Sequence, residues 1–128
     1  MTAKQPIQTD KAPAPIGPYN QAIKVGDTYY VSGQIALDPE TGKLVTDDLE
    51  AETHLVMAHI GAILAVDGMT HDHIVKSSIF LKSMGDFAQI NEIYGSYFTG
   101  VYPARETVEV AGLPKGVNVE ISVIAVKG

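Results

Sequence analysis

Val117-Asn118-Val119-Glu120-Ile121-Ser122-Val123-Ile124-Ala125-Val126 is the stretch whose reading decides the fold. Branched apolar residues dominate it and no glycine or proline interrupts it, which marks a strand over Asn118–Val126. Side chains on a strand alternate between its two faces. Val119, Ile121, Val123 and Ala125 therefore share one face, and Ile124 and Val126 lie on the other. An antiparallel sheet with one wet face alternates cleanly between apolar and polar residues, and this strand does not. Leaving the second face bare would expose a larger apolar patch than monomers usually carry. Burial against copies of the same chain is the economical solution, so homo-oligomerisation is expected from the pattern itself.

Upstream, Glu106–Val110 is another strand, joined to the last by the Gly112-Leu113-Pro114-Lys115-Gly116 loop. Ser83 with Asp86 three residues on resembles a capping box, opening a helix to about Thr99 with the stripe Phe87, Ile90, Tyr94, Tyr97 and Phe98. Ile74–Leu81 reads as a strand. Asp47 or Asp48 caps a helix over Leu49–Asp67, with acids in its first turn and Gly68 as its stop. Gln21–Val25 and Thr28–Ser32 flank Gly26-Asp27 as a hairpin. A short strand at Gln34–Leu37 precedes the turn Asp38-Pro39-Glu40-Thr41-Gly42. The first fifteen or so residues, with Pro6, Pro13 and Pro15, form an extended arm. The order is three strands, helix, strand, helix, two strands. That predicts one α+β domain over residues 1–128, a sheet of about six strands with two helices on one face.

Composition narrows the function. With 45% hydrophobic residues, the chain is a packed globule rather than a disordered segment. Fifteen acids against nine bases give a net charge of −6, and the lysines stand singly, so a phosphate-backbone grip is disfavoured. The absence of cysteine excludes disulfides and thiolate chemistry, and fits a reducing cytosol. No apolar run approaches the length that spans a bilayer, and Met1-Thr2-Ala3-Lys4-Gln5-Pro6 lacks the apolar core of a secretory signal. The expectation is a cytoplasmic protein without nucleic-acid or membrane partners. His54 and His59, five apart, turn away from each other on a helix, and His71-Asp72-His73 is most simply a solvated loop. With no HExxH, phosphate loop or GxSxG elbow, no metal or cofactor is expected.

Two charged residues stand out. Arg105 is the only arginine and heads a strand just after Pro103-Ala104. Its planar fork matches a carboxylate in a way lysine cannot, although an ion pair with Glu106 or Glu109 is an alternative use. Glu120 sits inside an otherwise apolar strand, where a carboxylate is costly unless it is paired or lines a cavity. At a cavity wall its pKa would rise, making it a candidate base or water-orienting group; at an edge it would simply meet solvent. Ser32-Gly33 could present an N–H and a hydroxyl to a ligand, and Gly17-Pro18-Tyr19 is loop punctuation bearing a phenol. Asn91, one position off the helical stripe, is either solvated or reaches into a site.

Taken together these segments resemble the reactive intermediate deaminase family, also called the YjgF or RidA family and formerly grouped with translation inhibitor proteins. Ala14-Pro15-Ile16-Gly17-Pro18-Tyr19, Ser32-Gly33-Gln34-Ile35, Leu37-Asp38-Pro39-Glu40-Thr41-Gly42, His59-Ile60-Gly61-Ala62-Ile63-Leu64, Asp86–Tyr94, Pro103-Ala104-Arg105 and Val108–Gly116 with Val119-Glu120-Ile121 carry the likeness in order along nearly the whole chain. The resemblance implies a chorismate-mutase-like α+β fold assembled as a homotrimer, with sites in the clefts between subunits. It implies cofactor-independent hydrolysis of enamines and imines, such as 2-aminoacrylate (2-iminopropanoate) and 2-iminobutanoate, to 2-keto acids and ammonia. Arg105 would grip the substrate carboxylate and Glu120 would orient or activate water. Tyr19, Ser32, Gly33 and Asn91 would line the pocket, and the Thr107 amide would add a carboxylate contact. Two departures bear on this. Thr107 stands where many relatives carry cysteine, so a backbone contact survives and a thiol role does not. Glu106 stands where small residues are common and, on a strand, should point away from Arg105. A carboxylate-binding member without turnover and an RNA-cleaving translation inhibitor are the alternatives within the resemblance.

Overall fold

The structure, a computed structural model, describes residues 3–128; the Met1-Thr2 start of the arm lies outside them. Strands β1 (Gln5–Ile7), β2 (Ala22–Val25), β3 (Thr28–Gln34), β4 (Ile74–Leu81), β5 (Ala104–Glu109) and β6 (Val119–Val126) form one sheet in the order β1-β2-β3-β6-β4-β5. Only β4 and β5 pair in parallel; the other neighbours are antiparallel. Helix α1 (Leu49–Ala65) links β3 to β4, and α2 (Phe87–Gly95) links β4 to β5. Since β3 and β4 both run antiparallel to β6, both links are parallel crossovers that step in the same direction across the sheet. Crossovers of one hand stepping the same way place both helices on one face.

Beneath the helices, Val119, Ile121, Val123 and Ala125 of β6 are buried beside Ser77, Ile79 and Leu81 of β4, with Val56, Ile60 and Ile63 of α1 packed over the sheet. α1 begins where the Asp48 side chain accepts from the Glu50 N–H. It also carries a buried carboxylate, Glu52, which accepts from the Asn118 N–H and amide side chain at 2.8 and 2.7 Å and so fixes the start of β6.

Three expectations are corrected. The N-terminal arm is not wholly irregular, because Gln5–Ile7 pairs with Ala22–Lys24 at the sheet edge. Gln34–Leu37 is not a separate strand: Gln34 ends β3, and Leu37 makes a lone bridge to Leu44. The second helix is shorter than Ser83–Thr99. Ser83 caps a 3₁₀ turn over Met84–Asp86, and α2 stops at Gly95, after which the Ser96 hydroxyl takes the Ile93 carbonyl at 2.6 Å. On β6, Ile124 and Val126 lie on the face opposite Val119, Ile121, Val123 and Ala125, as the alternation predicts. The strand's burial alternates strictly up to Ala125, with Glu120, Ser122 and Ile124 only half-buried on the face away from the helices. Tyr30 and Val108 join them there, 50% and 41% exposed, and among the described residues no helix lies over this face. Among the described residues no helix is long and apolar enough to cross a membrane.

Candidate active site

Register decides where the chemistry sits. Ser77 pairs with Arg105, Ile79 with Thr107, and Leu81 with Glu109. Arg105 and Thr107 therefore share the helix-bearing face of the sheet with buried Ser77 and Ile79. Phe80 pairs with Glu120, which puts that carboxylate on the uncovered face with Ser78 and Lys76.

On the helix side, the exposed Arg105 is held by α2. Its Nη1 donates to Asn91 Oδ1 at 2.5 Å, and its guanidinium carbon lies 5.5 Å from the ring centroids of both Phe87 and Tyr94. Tyr94 is buried, donates to Ser77 Oγ at 2.8 Å, and has its phenol pKa pushed up by burial. The guanidinium is thus oriented by an amide and two rings, and has no carboxylate within ion-pair distance among the described residues. The alternative ion pairs do not form. Glu106 points to the opposite face, where Ser78 Oγ donates to it at 2.7 Å and Lys76 lies 3.6 Å away. Glu109 accepts the Met84 N–H at 2.7 Å. Arg105, Asn91, Tyr94 and Tyr102 line a cleft of about 410 Å³.

β5 is an open sheet edge. The Val110 N–H donates to the Leu81 carbonyl. Backbone groups alternate sides along a strand, so the amides of Arg105 and Thr107 point away from β4. The Thr107 N–H, two residues on from the guanidinium, is thus left unpaired by the sheet. The Thr107 hydroxyl itself is buried and unpartnered.

The second cluster lies where β3 meets β6. Val31 pairs with Val123 and Gln34 with Ile121, so Ser32-Gly33 opposes Ser122 alone: a β-bulge with one extra residue. Glu120 packs directly on Gly33, and a Cβ at that glycine would overlap the carboxylate. Glu120 is half-buried and has no hydrogen-bond partner among the described residues; burial alone pushes its pKa up. Gly33 and Tyr19 line a pocket of about 280 Å³ with Ile16, Ile35, Pro114 and Lys115. Ser32 is corrected in detail. Its N–H goes to the Gln21 carbonyl at 2.9 Å and its hydroxyl to the Asn20 carbonyl at 2.6 Å, so neither donor is left for a ligand and only the hydroxyl oxygen can accept.

Within one chain the seven candidates divide into Arg105, Asn91 and Thr107 on the one hand, and Tyr19, Ser32, Gly33 and Glu120 on the other. Arg105 and Glu120 do not face a common crevice in the single chain. They lie on opposite faces, two strands and three residues apart through Ser77 and Phe80, which is about 10 Å across and about 10 Å along. Sequence reading missed Tyr94 and Tyr102 as walls of the Arg105 cleft and Phe87 as a ring beside its guanidinium, because Phe87 and Tyr94 read as helix stripe. It also misjudged His71, whose Nε2 lies 2.8 Å from the Met57 carbonyl rather than in solvent. His59 is buried against the Leu37 carbonyl at 2.8 Å.

This fold and residue pattern recur in known proteins. A family model described as endoribonuclease L-PSP matches residues 9–127. The mouse protein named 2-iminobutanoate/2-iminopropanoate deaminase is 47% identical over 122 residues, covering 95% of this chain and 90% of the relative. The crystal structure of YyfA from Yersinia pestis, a protein of unknown function of the Rid family, superposes with a TM-score of 0.93 at 50% identity, covering 97% of this chain and 99% of that one. Escherichia coli TdcF with bound serine does so with a TM-score of 0.92 at 37% identity over 97% and 99%. The chain belongs to the YjgF/RidA family, which that family model describes.

Proposed function

We propose that the protein hydrolyses enamine and imine intermediates of amino-acid metabolism, 2-aminoacrylate (as 2-iminopropanoate) and 2-iminobutanoate among them, to 2-keto acids and ammonia. It acts as a cytoplasmic homotrimer. Each site lies in a cleft between copies, with Arg105, Asn91 and the Thr107 amide from one chain and Tyr19, Ser32, Gly33 and Glu120 from its neighbour. The observation that carries this reading is the state of Arg105: a guanidinium fixed by Asn91 and two aromatic rings, yet left without a counter-charge. Such a fork is matched to a carboxylate. The division of the candidates between two faces supports assembly from two copies, since a small acid cannot reach both clusters of one chain. The open edge of β5 and the uncovered sheet face supply surface for that assembly. The deaminase name of the mouse relative and the serine bound by TdcF support a small 2-amino or 2-imino acid as ligand.

The chemistry asks little of the protein. A protonated imine is already electrophilic, so an anchor and a placed water suffice. Glu120, as carboxylate, accepts a proton from the attacking water while its oxygen bonds to the imine carbon. Glu120 returns that proton to the carbinolamine nitrogen, then takes the hydroxyl proton as the C–N bond breaks and a C=O bond forms. Ammonia leaves and picks up the proton from Glu120 as ammonium, restoring the carboxylate. Burial raises the basicity of Glu120, which suits both halves of that transfer. No cofactor enters the scheme.

The test is keto-acid release from imines generated in situ by a pyridoxal-phosphate dehydratase acting on serine or threonine. The unaltered protein should accelerate it, and Arg105→Ala should lose roughly 100-fold in kcat/KM with its melting temperature kept, since charge-assisted bonds are worth a few kcal/mol. Full turnover by Arg105→Ala would remove the reading's support. Carboxylate binding without any turnover in the unaltered protein would favour the binding-only alternative.

A further inference from the structure

Residues 8–21 carry Ile16 and Tyr19, the outer wall of the pocket at Gly33, and little backbone structure holds them. Pro13, Pro15 and Pro18 have no N–H to give. The tip is held by a local bond from the Tyr19 N–H to the Gly17 carbonyl and a long contact from the Ile16 N–H to the Tyr19 hydroxyl at 3.5 Å. Buried His59 meets the backbone of Lys11, and most of the stem is closed by one further side chain. Gln21, 2% exposed, accepts the Thr9 N–H at 2.8 Å, and its amide nitrogen faces the carbonyls of Thr9, Ala12 and Pro13 at 3.0, 3.2 and 2.9 Å. The backbone of Gln21 continues the connection inward, its carbonyl accepting the N–H of Ser32 at the bulge whose next residue, Gly33, touches Glu120. Gln21 also lines the pocket itself.

From this geometry we infer that Gln21 is a positioning residue. It clamps the proline-rich arm so that Ile16 and Tyr19 wall the pocket beside Glu120, and it thereby sets how tightly the reacting acid is held. The inference rests on the hydrolase reading above for its kinetic part and on the hydrogen-bond geometry alone for its structural part. A wall that encloses ligand equally in ground and transition states changes KM and leaves kcat nearly alone. A merely structural amide would lower the melting temperature without that split.

The experiment compares Gln21→Leu, which keeps volume and loses every bond, with the unaltered protein. The readouts are melting temperature, amide exchange over residues 9–19, and steady-state kinetics on 2-iminobutanoate. The expected result is arm exchange and KM each raised by about tenfold, with kcat within about threefold and the melting temperature little changed. Should Gln21→Leu fail to fold, Gln21→Glu carries the test. It keeps the bond from the Thr9 N–H, cannot donate to the three carbonyls when ionised, and must show the same KM rise, easing as pH falls. A loosened arm with unchanged KM overturns the positioning role, and unchanged arm exchange overturns the clamp. Absence of turnover in the unaltered protein would refute the hydrolase reading, and the clamp would then stand or fall on arm exchange alone.

Discussion

Arg105 and Glu120 stand on opposite faces of one sheet, tied to it through registers three residues apart on β4: Ser77 beside the arginine and Phe80 beside the glutamate. No rotamer change brings the two groups to one small acid within a single chain. Each is nevertheless prepared as if for a ligand. The cation is oriented and unneutralised, and the carboxylate is desolvated and unpartnered. The half-buried, unpartnered carboxylate costs stability where it sits, and in the proposed assembly a second copy would bring the complementary half-site.

Glu120 gives a pH signature in stability as well as rate. Burial raises its folded-state pKa above the ordinary glutamate value. Between the unfolded and folded pKa the native state holds the extra proton, so stability falls as pH rises through that window, and the penalty persists above it. Glu120→Gln is therefore expected to melt at a higher temperature than the unaltered protein at pH 7, with the difference vanishing below the ordinary glutamate pKa. The same substitution should abolish imine hydrolysis. In the unaltered protein kcat/KM should fall on the acid side as this carboxylate is protonated. Parallel melting curves and rate profiles from pH 4 to pH 8 check both.

Gly33→Ala tests the close approach at the bulge. The added Cβ meets the far end of the Glu120 side chain rather than backbone, so the carboxylate swings aside and the fold survives. A reacting group displaced by about 1 Å costs on the order of 100-fold in rate. The expected outcome is that loss in kcat/KM with a melting temperature within a few degrees of the original.

Thr107 separates a side chain from its backbone. Its hydroxyl is the buried side-chain polar atom without a partner among the described residues, and an unmade bond of that kind costs about 1 kcal/mol or more. Thr107→Val, which keeps the shape, should stabilise the protein by roughly 1 kcal/mol in denaturant unfolding. Thr107→Ser, which keeps the hydroxyl, should not. Destabilisation by valine would mean that the hydroxyl has a partner.

Strands and helices with strong periodic patterns were legible in the sequence. Ile74–Leu81 has the same bounds in both readings, and α1 starts at Leu49 behind an aspartate cap as its acids and periodicity predict. The edge strand Gln5–Ile7 was not legible, because three residues bearing a proline carry no period and their pairing with β2 is a tertiary contact. Arg105 and Glu120 were identifiable as oddities of residue type in context, one a solitary fork and the other a charge in an apolar strand. Their placement on opposite faces depends on the parallel register of β5, which no local pattern encodes. Gln21 passed as the first residue of a strand, since a clamp across twelve residues leaves no local signature.

The most direct test of a site shared between chains is complementation. Alone, Arg105→Ala is expected to keep about one hundredth of the activity and Glu120→Gln none. Unfolded together in equal amounts and refolded, they assemble at random. A site built from the arginine of one chain and the glutamate of its neighbour is then intact in about one quarter of cases, so about a quarter of the original activity should return. No recovery from the mixture, with each variant folded and assembled, would contradict the account.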